Sequence, residues 1–253
     1  MEVVDVLHGS FSLVFVIISF IIGFKILFKY SKQKNRLLIL VGLTWVGLSF
    51  PWLPDSISFL MSLFLQRTLS VEWYFIIGNV FIPIALIPWM MAYTDMISRD
   101  RKRLYVGLIA GLCILFEILF FTLFFIDIDL IGTMASAFSA DLGILLIVFL
   151  FVTMIIMLIT GVKFARKSIK SEDREIKLKG KLLQAAFIMF TIAALLEKTG
   201  RSIMLGLVFQ NPTDLLLQVI LAIVRTVLFL SAFAFYGGFL LPRWMKEILL
   251  RSE

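Results

Sequence analysis

Seven apolar runs, at 10–28, 37–63, 73–97, 104–126, 141–164, 182–209 and 215–241, leave this chain few structural options. A helix that crosses a bilayer needs about 20 mostly apolar residues, because lipid offers no partner to an exposed peptide group. Hydrophobic residues make up 61% of the 253, and the mean hydropathy is +1.03. One water-soluble core cannot bury that much apolar surface. The expected fold class is therefore all-α: a polytopic membrane protein, with a seven-helix transmembrane bundle over 1–241 and a short interfacial tail at 242–253. The first run lacks a basic lead and is too long for a cleaved signal peptide, so it reads as a span.

The basic residues fall on alternate loops. Five lie between Lys25 and Arg36, four between Arg99 and Arg103, eight between Lys163 and Lys181, and three at Arg243, Lys246 and Arg251, making 20 of the 24. The other side carries Arg67 among Glu2, Asp5, Glu72, Asp127, Asp129 and Asp214. Basic loops stay in the cytoplasm, so the N-terminus is expected outside and the C-terminus inside the cell (plasma) membrane. This distribution accounts for the net charge of +7 without a nucleic-acid partner. The lipid bilayer is the expected partner, and the basic inner loops offer a surface to a cytoplasmic one. Their bland role is contact with anionic headgroups. Oligomeric state is not legible.

Prolines mark two spans. Pro51 and Pro54 in "SFPWLPDSISF" imply a bent or broken second span. Pro83 and Pro88 beside Asn79 imply a bent third span whose freed carbonyls need partners. Asp141 is expected to cap the fifth span. The tail "PRWMKEILLRSE" reads as an amphipathic helix anchored by Trp244 in the interface. The outer loops are too short for a folded domain, and no internal repeat is visible.

The chain has one cysteine, Cys113, and one histidine, His8. An intramolecular disulfide and a cysteine-rich metal site are therefore excluded. A Ser–His or Cys–His catalytic pair would need His8. From this inventory the chain is expected to be no enzyme and to hold neither metal nor cofactor.

Charges inside the apolar runs carry the functional expectation. Counted from the basic ends of their spans at 1.5 Å per residue, Glu117, Asn79, Glu197, Lys198, Arg201, Arg225 and Asp55 all lie roughly 20–28 Å up. They share one layer in the outer half of a core about 30 Å thick. Glu197, Lys198 and Arg201 point into one arc, and Gln218 and Arg225 share a stripe on the seventh span. A lipid-facing charge costs about 3 kcal/mol, so these groups should face the interior. A structural reading pairs Glu117 with Arg225 and Glu197 with Arg201. The functional reading is a ligand site, with Lys198 lacking a local partner. The expected function is a receptor- or sensor-like protein that binds a small or lipidic, anionic ligand in this layer. The alternatives are an ion- or proton-coupled transporter, or a structural protein whose buried charges only specify packing.

The closing segment "FYGGFLLPRWMKEIL" resembles the end of a diffuse family of prokaryotic, chiefly archaeal, seven-span proteins. Some of its members form the sensor module of membrane histidine kinases. The "PWLP" of the second run and "IGNVFIPIALIPW" of the third are similar to stand-alone members. The resemblance implies stimulus reception by the bundle. Unlike the kinase-linked members this sequence shows no kinase segment, so it is expected either to signal through a separate partner or to have a different role.

Overall fold

The computed structural model describes residues 3–198 and 214–251. Helix α1 is Val3–Gln33. Span two is split into α2, Arg36–Leu48, and α3, Leu53–Leu65, around a 3-10 turn at Phe50–Trp52. Span three is split into α4, Val71–Asn79, and α5, Pro83–Ile97. Then come α6 at Lys102–Ile126, α7 at Ile144–Ile169, α8 at Arg174–Lys198, α9 at Asp214–Leu240 and α10 at Arg243–Arg251. Among the described residues, seven stretches, from Asp5–Gln33 to Val219–Leu240, are long and apolar enough to cross a membrane. The chain is an all-α integral membrane protein.

Local chemistry sets the boundaries. The Asn35 side chain accepts from the Leu37 amide and opens α2. Pro51 and Pro54 lie in the first turns of the 3-10 segment and of α3. Each lacks the N–H that a continuous helix would need, so the chain tightens and re-aims between α2 and α3. Asp173 accepts from the amides of Glu175 and Ile176, which starts α8 well before the apolar run. Much of the basic stretch expected as the loop between spans five and six is therefore helix. Leu241, in the left-handed region at φ 36°, and Pro242 end α9 and begin α10.

The spans close a ring in chain order. Helix α1 packs on α2, α3 and α9; α2 on α5; α5 on α6 and α7; α7 on α8; and α8 on α9. Trp45 stacks on Phe235 at 4.0 Å, joining spans two and seven. Trp89 donates to Thr160 at 2.7 Å, joining spans three and five. Outward faces remain apolar; on α6, Leu104, Leu108, Ile118 and Phe125 are exposed. Such faces suit lipid.

One element departs from the all-helical expectation. Strands β1, Gly132–Ser136, and β2, Ser139–Leu142, form an antiparallel hairpin between spans four and five. Gly132 sits at φ 156°, and a Cβ there would lie 2.5 Å from the Asp141 carbonyl. Phe138 at the turn is fully buried and meets the Phe59 ring edge-on at 5.7 Å. Asp141 therefore does not cap span five. It is paired with Thr133 in the hairpin, and Gly143 precedes α7.

Candidate functional site: a buried polar chain at the helix breaks

The proline break of span two, helix α4 and the start of α1 converge on one polar cluster. His8 and Ser12, one turn apart on α1, both face Asp55. The His8 Nε2 lies 3.3 Å from Asp55 Oδ2, and the Ser12 hydroxyl donates to the same oxygen at 3.2 Å. The Tyr74 hydroxyl, from α4, donates to Asp55 Oδ1. Asp55 is fully buried in the first turn of α3.

The chain continues across the bundle. Arg225 NH2, from α9, donates to the Ser12 hydroxyl at 2.8 Å and meets Glu197 Oε1 at 2.7 Å. Trp52 Nε1 donates to the same Glu197 oxygen at 2.6 Å. Ser12 thus accepts from Arg225 and donates to Asp55, linking two acidic groups through one cation. The Arg225 and Glu197 side chains are 0% and 4% exposed, whereas His8 keeps 15%. Spans one, two, three, six and seven all contribute.

Satisfaction is incomplete. Among the described residues, Arg225 Nε and NH1 and Glu197 Oε2 are buried and have no hydrogen-bond partner. An unpaired buried polar group costs about 1–3 kcal/mol, and more when charged. Two open donors and one open acceptor therefore sit on a single ion pair.

His8, Asp55 and Glu197 also bring donor atoms within 4.8 Å of one another, as a metal centre would. Histidine and carboxylate are suitable ligands for a divalent ion. The Arg225 guanidinium already stands against Glu197 Oε1, however, and a second cation would meet its charge.

The sequence-derived residues divide. Asp55, Glu197 and Arg225 meet in this cluster. Glu117 does not pair with Arg225 as expected, because α6 packs on α5 and α7 while α9 packs on α8 and α1. Both Glu117 carboxylate oxygens are buried and unpartnered among the described residues. Asn79 returns its amide to the Phe75 carbonyl at 2.9 Å, satisfying an acceptor at the end of α4. The side chains of Lys198, Arg201 and Gln218 lie outside the described residues. Ser12, Trp52 and Tyr74 were not among the expected site residues, and His8 stood out only as the single histidine. The spacing of His8 and Ser12 at i and i+4 was the available signal for two of them.

Residues 110–230 match accessory gene regulator B (AgrB). The matched stretch is just under half of the chain. It includes Cys113, Glu117, Glu197 and Arg225 but not His8, Ser12 or Asp55. No curated protein matches the sequence. AgrB is a family of membrane cysteine proteases that process an autoinducing peptide. The expectation that the chain is no enzyme is overturned by this match. The inventory behind it had required a histidine beside the nucleophile. The match also gives no support to the likeness with histidine-kinase sensor modules.

Proposed function

We propose that this is a receptor- or sensor-like seven-helix membrane protein whose ligand binds against Arg225 and Glu197. The observation that carries the reading is that Arg225 Nε and NH1 and the adjacent Glu197 Oε2 have no partner among the described residues. A guanidinium presents planar, paired donors that match a carboxylate or phosphate. The described cluster holds two carboxylates and one guanidinium, so a purely anionic ligand would add to an excess of negative charge. A molecule that offers an acceptor to Arg225 and a donor to Glu197 answers both groups. Small zwitterions and amide-bearing compounds have that form. Because Arg225 also holds Ser12 on α1 and Glu197 on α8, such a ligand would bear on the packing of spans one, six and seven.

The test is a thermal-unfolding screen of the purified protein against amino acids, simple carboxylates and simple amines. Stabilisation by compounds that carry both groups, lost in Arg225→Lys, supports the reading. No shift with any class counts against it.

The AgrB match favours a second reading, thiol-dependent peptide processing. Cys113 lies in the matched stretch, and Glu117 stands one helical turn along α6 with both carboxylate oxygens unpartnered among the described residues. In this reading Cys113 is the nucleophile and Glu117 the base that takes its proton. Cys113 is 2% exposed, so a peptide would have to part α6 from its neighbours. Comparing the peptides of cells expressing the native chain and Cys113→Ala decides it: a processed peptide lost in the variant supports the reading, and identical profiles reject it.

A further inference from the structure

At the opposite, basic end of the bundle, six side chains line an open pocket of about 670 Å³: Arg36, Asp95, Arg99, Asp100, Lys102 and Arg103. They come from the start of α2, the end of α5, the 3-10 turn at Arg99–Arg101 and the start of α6. Every lining residue is charged. Lys102 is held by Asp95. Among the described residues, Arg36, Arg99 and Arg103 form no ion pair, and Asp100 is the remaining acid. Three guanidinium groups around one cavity, with a single carboxylate to balance them, leave room for an anion of more than one charge. Arginine forks are suited to phosphate oxygens.

The surface above the cavity tells a free anion from a lipid. Gly107 and Gly111 follow Arg103 at i+4 and i+8, on the same side of α6. Both are exposed, and a Cβ added at either would meet nothing within 4 Å. Leu104 and Leu108 flank them with 57% and 62% exposure. An open apolar track therefore runs along α6, away from the arginines and towards the middle of the bilayer. A soluble phosphate would have no use for it, whereas an acyl chain would lie along it.

We infer that this cavity binds a phospholipid whose headgroup carries two or more negative charges, with one acyl chain seated over Gly107 and Gly111. The arginines hold the phosphates and the glycines leave the chain its place. This site is independent of the Arg225 cluster, so either can fail without the other.

The experiment uses the full-length protein in neutral phosphatidylcholine nanodiscs, titrated with a phospholipid bearing two phosphate charges and read by native mass spectrometry. Each arginine near a membrane surface contributes about fivefold to anionic-lipid affinity, so the Arg36→Gln, Arg99→Gln, Arg103→Gln triple variant should bind about 100-fold more weakly. Gly107→Leu with Gly111→Leu fills the track but keeps the arginines, and should weaken lipid binding while leaving inorganic phosphate unaffected. Thermal unfolding in neutral lipid checks that both variants fold. Equal lipid binding by native and triple-variant protein overturns the inference. So does inorganic phosphate competing as well as the lipid, or a glycine variant that binds lipid unchanged, since each removes the lipid as the occupant.

Discussion

Arg225 is where the energetic stakes of this molecule concentrate. It is fully buried, and a single nitrogen serves both Glu197 and Ser12. Replacing it by leucine should cost about 3–5 kcal/mol, because Glu197 is stranded as a buried, uncompensated carboxylate. Leucine at both positions should cost less than the sum of the single changes, since neither charge is then abandoned. Reversible denaturation in mild detergent measures the difference. Tyr74→Phe removes the hydroxyl that donates to Asp55 and should cost about 1–2 kcal/mol by the same assay. Asp55, Glu197 and Arg225 were legible in the sequence because a charge inside an apolar run demands an interior partner. Which partner was not legible. Helical period tells which face Glu117 and Arg225 occupy, but not that α6 and α9 stand on different walls of the ring. Ser12, Trp52 and Tyr74 are neutral, common types whose roles arise only from long-range packing. His8 sits ahead of the first apolar run and drew no such attention.

Among the elements, the proline break of span two does most to create the site. The turn at Phe50–Trp52 delivers Trp52 to Glu197, and the restart at Leu53 delivers Asp55 to His8, Ser12 and Tyr74. An interruption there was readable from "FPWLP", since proline cannot continue the hydrogen-bond ladder. The hairpin at Gly132–Leu142 was not. "GTMASAFSADL" is short, poor in β-branched residues and has no clear alternation, so nothing in it signals strand. Its buried Phe138, and Gly132 where no Cβ fits, show how closely it is packed. Gly132→Ala forces a Cβ towards the Asp141 carbonyl at an unfavourable φ and should destabilise the protein by about 1–3 kcal/mol. Thermal unfolding of the variant checks this, and an unchanged midpoint would show that the hairpin carries no stability.

For the whole molecule, the spans were the most legible level, because hydrophobic length is a direct requirement of the bilayer. Their ends shifted where capping groups such as Asp173 extend a helix past the apolar run. The basic loops set the expected orientation, which cysteine labelling in a Cys113→Ala background can test. Ala135→Cys in the hairpin should react only from outside the cell, and Ser171→Cys between α7 and α8 only from within. The seven-span ring places its polar chain near one end and its arginine cavity at the other. A function at the first must therefore act through the packing of spans one, six and seven. The central claim, that Arg225 and Glu197 receive a ligand, is tested most directly by a high-resolution map of the protein in native-lipid nanodiscs. Non-protein density larger than a water, touching Arg225 Nε or NH1 and Glu197 Oε2, is the expected result. Isolated waters there, or a protein side chain closing the gap, would contradict it.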